Sequence, residues 1–439
     1  MPGNDSLIKK ALPAADRRYF GRAAAQLLLA DAVPYAVDRY VFHADYARVS
    51  FKSISYNLNP GNWAWDHDSF QTNQFMHPYH GSIYFNAFRS NGYSFWQSVP
   101  AAFVGSYIWE TAGENEAPSP NDFINTSFGG IVLGEMTHRL ANEITNNHSH
   151  GFRRQLSEVF ALLVNPANGF NRILTGKWGR RTPSLTEKDT SKINAEFSLG
   201  FRRFESNNTN RTSDRDFSWY ARARLSYGLP HQNYRTPFSN IYIGTEIGMN
   251  DKSRFNVNLI TVYGSLAGWE ISAKSKFNHL AILSTNYDYV QNEAFFYGAQ
   301  SVKMNLYSSL QLPAKVRLTT SLGAGPVILA AVPSAYPYYD RNYDYGPGLG
   351  LSAGGEINVA GKAYFSVSYR GGWFMTVNGN RSHYFLHALS GELRYKVIRQ
   401  LSICAEPGYF TLRGYYKYYP EVNRNYPYVR FSVRYDCRL

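Results

Sequence analysis

Seven of the eleven histidines in this 439-residue sequence lie within residues 1–150, and carboxylates recur beside them. His77 and His80 are three apart, in a stretch that reads as the first turn of a helix. Glu110 and Glu114 are four apart and share one helix face. They fall in the last turns of their helix, where the macrodipole disfavours negative charge, so they call for something cationic: Arg89, Arg139, a protonated His or a metal. Glu135 and His138 form a single Glu-x-x-His step, one half of the di-metal signature of helix bundles. His77, His80, Glu110 and Glu114 are therefore the candidate catalytic set, with imidazole as general base or metal ligand and carboxylate as acid partner. Arg89, Asp122, Glu135, His138 and Arg139 form the candidate surround. At ~1.5 Å rise per residue, Asp122 and Glu135 stand roughly 20 Å apart, so they cannot share one small site. Three readings stay open: a structural polar network, a hydrolytic lipid site and a divalent-metal site. No Gly-x-Ser-x-Gly elbow, Walker loop, dinucleotide fingerprint or His-Glu-x-x-His is present, and Ser82 and Ser106 are unranked nucleophile candidates.

Helices must position these groups. One is expected over 16–43, capped by Asp16 and kinked by Pro34. Another begins at Pro78, proline being tolerated in a first turn. Helices over 91–113 and 120–143 follow, the second opened by Ser119-Pro120-Asn121-Asp122, and a further one covers 152–164. Gly130-x-x-x-Gly134 lets two helices approach closely. The expected division is a helical domain at 1–165, a polar linker at 166–191 and a second domain at 192–439.

The run Trp65-Asp66-x-Asp68-x-Phe70-x-Thr72-Asn73-Gln74-Phe75-x-His77-Pro78-Tyr79-His80-Gly81 leads into Arg89-Ser90-Asn91-Gly92-Tyr93, Trp109-Glu110, Gly113-Glu114, Pro118-Ser119-x-x-Asp122 and Gly134-Glu135-x-x-His138-Arg139. This pattern, over roughly residues 30–145, resembles a Gram-negative envelope family known only as a domain of unknown function. The resemblance implies an exported, outer-membrane-associated protein and supplies no catalytic residues. An exported chain of this kind carries a signal peptide, removed from this numbering.

From about residue 192 the apolar period changes to two. Trp219, Ala221, Ala223, Leu225 and Tyr227 alternate with Tyr220, Arg222, Arg224 and Ser226, and Val429, Phe431, Val433 and Tyr435 alternate with Arg430, Ser432 and Arg434. An apolar face opposite a polar one, with 16% aromatic residues, reads as a transmembrane antiparallel β-barrel of about 12 strands in the bacterial outer membrane. The helical domain is expected to pack against or inside it. Arg222, Arg224, Arg430 and Arg434 should face the lumen. The net charge is +13, and +12 of it lies beyond residue 189, which favours anions such as lipid phosphates. The cations are scattered along alternating strands, so nucleic acid is excluded as a partner. Cys404 and Cys437 lie on the last two strands, where hairpin spacing allows a disulfide and alternation opposes it.

The expected function is a non-catalytic barrel with a plug-like helical domain, serving envelope lipid handling, transport or assembly, with outer-membrane lipids or lipopolysaccharide as partners. The alternative is an envelope-lipid hydrolase built on the His/Glu cluster, with or without a metal.

Overall fold

The computed structural model describes residues 18–180, 193–205, 217–228, 234, 236–249, 255–271, 277–292 and 295–438. It divides into two compact units. One holds the helices up to Asp66 and from His77 on, and the other holds the strands together with His67–Met76.

The helical unit contains α1 (Phe20–Tyr40), α2 (Phe51–Asn57), α3 (His77–Arg89), α4 (Phe95–Ile108), α5 (Pro120–Ile124), α6 (Gly130–Thr145), α7 (Gly151–Val164) and α8 (Pro166–Leu174). Pro34 lies inside α1; Asp16, expected as its cap, falls outside the described residues. Ser94 and Gln97 close a capping box at the start of α4. Ser119 caps α5 with Pro120 in its first turn. π-Helical turns at Trp109–Gly113 and Asn125–Gly129 follow α4 and join α5 to α6. The stretch expected as linker contains α8, whose cap, Asn165, accepts from the Asn168 amide and whose first residue is Pro166. The glycine step on α6 does bring two backbones together, but its partner is α3. A β-carbon on Gly81 would lie 1.8 Å from the Thr126 carbonyl oxygen, and one on Gly130 would lie 2.6 Å from Gly81 Cα.

The second unit is a closed antiparallel barrel of twelve strands, the number expected. They are β1 (Asn194–Phe204), β2 (Ser218–Tyr227), β3 (Ile241–Met249), β4 (Phe255–Ile271), β5 (Phe277–Gln291), β6 (Phe296–Leu312), β7 (Val316–Tyr338), β8 (Arg341–Val359), β9 (Ala363–Met375), β10 (Ser382–Lys396), β11 (Leu401–Tyr416) and β12 (Val422–Arg438). Each strand pairs with its sequence neighbours, and β1 pairs with β12 to close the wall. Alternation sorts the two faces. Leu199, Phe201, Val367, Leu389, Ile403, Phe431 and Val433 are exposed on the outside, as a lipid-facing surface requires. The two cysteines are free. The true register sets Cys404 opposite Ser432, and Cys437 pairs with Ala195 on β1. Strand parity then points the two thiols to opposite faces.

The four arginines expected in the lumen do face it, and each is neutralised there. Arg222 pairs with Glu246 at 2.6 Å and Glu406 at 2.8 Å, and Arg430 with Glu406 at 3.1 Å. Arg224 and Arg434 share Glu392 at 3.0 and 2.6 Å, and Arg434 also reaches Glu196 at 3.3 Å. Arg202 joins through Glu246. This ladder ties β1, β2, β3, β10, β11 and β12 across the lumen, so the charge of these arginines is largely offset internally.

Removing one member of such a buried set strands its partners, at a cost of about 3–5 kcal/mol. Arg222→Ala should therefore lower the temperature at which the compact, fast-migrating band converts to the unfolded band on unboiled gels. Conversion at the wild-type temperature would show that the ladder contributes nothing to wall stability.

Candidate functional site

Within the helical unit the expected residues fall into three polar groups, the first two adjoining. The first is built on α4, its π turn and α5. Glu110 accepts the Ser119 backbone N–H at 2.8 Å, and Trp109 Nε1 donates to Glu114. Asp122 accepts from Asn121 Nδ2 at 2.9 Å, and His77 Nε2 stands 3.5 Å from Asp122 Oδ1. Burial, then the nearby Asp122 and Glu114 carboxylates, push Glu110 well above the usual carboxylate range. Burial and Asp122 push Glu114 up to about 8. The helix end that disfavours negative charge is thus relieved by protons.

His80 belongs to the second group. Its Nε2 hydrogen-bonds the Ala30 carbonyl at 2.9 Å, which makes that nitrogen the N–H donor, and Tyr84 donates to Asp31 beside it. Burial lowers His80 to about 4 and raises Asp31 to about 7. The third group is Glu135, which takes Arg89 at 2.8 Å and Arg139 at 2.9 Å. Burial opposes ionisation there, and the two guanidinium groups outweigh it, holding Glu135 at about 2. Burial and Arg89 depress His138 to about 3, and its Nε2 accepts from Asn142 at 3.0 Å. His77 thus lies with Asp122 in the group that holds Glu110 and Glu114, and His80 borders it, its ring 5.1 Å from that of Trp109. Ser82 Oγ donates to the Tyr79 carbonyl at 2.6 Å, and Ser106 Oγ is buried without a hydrogen-bond partner. Among the described residues no three His, Cys, Asp or Glu side chains are arranged to hold a metal ion.

The segment His67–Met76 has a different role, invisible in its residue types alone. It belongs to the barrel unit and lies on the outer face of β5–β8. Phe70 stacks on Tyr289 at 5.5 Å and meets Phe296 at 4.8 Å and Tyr343 at 5.8 Å. Asn73 Nδ2 donates to the Tyr343 hydroxyl at 2.9 Å, and that hydroxyl donates to the Asp68 carbonyl at 2.8 Å. Tyr287 donates to the Gln74 carbonyl, and Gln74 Nε2 reaches the Tyr345 hydroxyl at 3.3 Å. Gly298 leaves room for Gln74, whose Oε1 would be 2.4 Å from a β-carbon there. Beneath this clasp the in-out alternation of burial stops: residues 298–301, 329–334 and 343–346 are buried on both faces. The four tyrosines sit at outward positions where a barrel ordinarily carries lipid-facing aliphatic residues. That substitution was the available signal.

The lumen is occupied by the barrel's own side chains. Phe295, from the β5–β6 turn, stacks on Phe410 at 5.7 Å within a cluster that includes Val327, Phe374, Tyr384, Leu386 and Leu412. Tyr234, Leu280 and Ile282 form a second lumenal cluster. A cavity of ≈ 410 Å³ remains, bounded by the ion-pair ladder, the Phe295 cluster, Lys303 and Arg370. Arg370 touches Asp288 only loosely, at 3.4 Å, and the Lys303 ammonium has no hydrogen-bond or ion-pair partner among the described residues.

Residues 62–167 match the sequence family described as "Domain of unknown function (DUF3943)". No curated protein shows significant similarity to the chain. Solved structures similar to it include the NanC porin, at 10% identity and TM-score 0.30, covering 53% of this chain and 98% of the porin. The outer-membrane channel DcaP of Acinetobacter baumannii matches at 6% identity and TM-score 0.26, over 56% and 96% of the two chains. An anion-selective porin from Comamonas acidovorans matches at 7% and 0.24, over 57% and 100%. The closed twelve-strand wall with its apolar outer surface is that of a bacterial outer-membrane barrel.

Two outcomes follow from this geometry. Glu114 holds its proton more tightly folded than unfolded, so its contribution is complete below pH ~4.5 and is lost as pH rises through about 8. Amide exchange across residues 95–129 of the full chain, corrected for intrinsic rates, should quicken between pH 5.5 and 9, and Glu114→Gln should flatten that trend. Gly298→Leu should unseat the clasp and raise exchange in residues 67–76 while the barrel still migrates as folded. Unchanged exchange would mean that the Gln74 contact does not hold the segment.

Proposed function

We propose that this chain is a non-catalytic, occluded outer-membrane conduit whose lumen takes a single-chain amphipathic anion of the fatty-acid class, a role in envelope lipid handling by transport. One observation carries the reading. The lumenal cavity sets the Lys303 ammonium, which has no hydrogen-bond or ion-pair partner among the described residues, and the loosely held Arg370 against the apolar wall of Phe295, Phe374 and Leu386. A carboxylate head suits the first and an acyl chain the second, and ≈ 410 Å³ lies in the range of small-ligand sites. Passage then requires displacement of the Phe295 cluster, whose anchor sits on a short turn between two strands. Lipopolysaccharide enters this reading as surroundings, since its bulk exceeds the cavity. Against the hydrolase alternative, three of the four candidate groups are committed to structural bonds, His80 to Ala30, Glu110 to Ser119 and Glu114 to Trp109, and the fourth, His77, stands beside Asp122.

The purified protein in planar bilayers should be nearly silent. The triple variant Phe295→Ala/Phe374→Ala/Leu412→Ala should conduct. Retention of a C10–C16 fatty acid, read by native mass spectrometry, should fall roughly tenfold in Lys303→Ala/Arg370→Ala, the scale of losing a charge-assisted contact. A steady porin-sized conductance in the wild type would overturn the occlusion, and equal retention in the cation variant would overturn the ligand class.

A further inference from the structure

The last two helices of the helical unit, α7 and α8, are built inside out. Along α7, Phe152, Leu156, Val159, Phe160 and Leu163 recur at helical spacing and are 81%, 44%, 44%, 52% and 68% exposed. The opposite face of the same helix buries Arg154 and Glu158, at 4% and 0%. α8 repeats the pattern: Phe170, Ile173 and Leu174 are exposed, and Asn171 and Arg172 are buried. The buried charges form one closed set, Arg154 and Arg172 each 2.6 Å from Glu158 Oε1, with further donation to the Thr145 and Arg180 carbonyls. A helix in water presents the reverse arrangement.

We infer that the apolar faces of α7 and α8 lie in the plane of an anionic lipid leaflet, anchoring the helical unit to the membrane interface independently of the lumenal function. Charge complementarity identifies the occupant. Glu158 is the only acidic residue in 151–180, and it is fully buried, so the exposed charge that this described segment carries is positive: Arg153, Lys177 and Arg180. Trp178 lies between the last two, its indole N–H donating to Gln155 at 2.9 Å. Tryptophan flanked by cations at the edge of an apolar helix face is the composition of an interfacial anchor. Among the described residues no helix is long and apolar enough to cross a bilayer, and α7 at 14 residues is ~21 Å long, which suits a helix lying in the interface. A second copy of this chain would bring Arg153, Lys177 and Arg180 against their own kind.

The test uses the full chain in phosphatidylethanolamine–phosphatidylglycerol bilayers. Nitroxides are placed singly at Leu156→Cys, Phe160→Cys and Leu163→Cys in a Cys404→Ser/Cys437→Ser background, with Arg153→Cys and Lys177→Cys as references. Collision with oxygen should exceed collision with a water-soluble nickel chelate at 156, 160 and 163, and the ratio should reverse at 153 and 177. Nickel access at all five positions would place the face in water. Low access to both quenchers at 156–163 would mean that protein covers it. Either result overturns the inference, and agreement among three labelled sites guards against one variant that misfolds.

Discussion

Closure of the sheet between β1 and β12 is the constraint that the other arrangements answer to. Pairs such as Leu199 with Val433 and Ser198 with Arg434 complete the wall, so no strand is left with unpaired backbone groups in hydrocarbon. Once the wall is closed, period two gives every strand one face toward lipid and one toward the lumen. The lumenal face near the seam carries arginines, which are tolerable only because Glu196, Glu246, Glu392 and Glu406 arrive from strands on both sides. The ladder and the seam are therefore one device. The register that saturates the backbone also brings each guanidinium to its carboxylate.

Most of the barrel was legible in the sequence because alternation is a local signal. Trp219 to Tyr227 shows both faces within nine residues, and the strand count follows from repeating that reading. The carboxylate partners were harder to foresee: Arg222 and Glu406 are 184 residues apart, and no local pattern pairs them. The helical region was legible in its caps, such as Ser94 and Ser119, and much less so in its chemistry. Clustering of His77, His80, Glu110 and Glu114 in sequence looked like convergence. The helices do bring His77 and Asp122 to the Glu110–Glu114 group and set His80 next to it on Ala30 and Asp31, whereas Glu135 and His138 take other partners. The glycine step at 130–134 correctly announced a close crossing, but spacing could not say that α3 would be the partner.

The helical unit also shows how polar residues can specify a packing that apolar ones leave loose. Asn86 Nδ2 reaches the Ser82 and Gly134 carbonyls and Thr137 Oγ1, and Asn91 reaches Gln26. Each bond is directional, so together they admit one relative placement of α1, α3 and α6, with Gly81 and Gly130 setting the distance between the latter two. Dispersion alone would allow sliding. These bonds sit among buried apolar side chains such as Leu27, Tyr84, Phe85 and Leu133, which supply the bulk of the interior while the amides fix its alignment.

The clasp imposes an order on synthesis. Asn73 and Tyr343 are 270 residues apart, so the motif emerges from the ribosome long before the wall it grips exists. Bringing such ends together costs about 5 kcal/mol in chain entropy, and nothing offsets that until β5 to β8 are paired and present Tyr287, Tyr289, Tyr343 and Tyr345 side by side. Seating of the segment is therefore a late event that reports on a finished wall. A chain whose central hairpins have mispaired has no tyrosine row to cover Phe70 and Phe75, so the covered segment distinguishes a finished wall from an unfinished one.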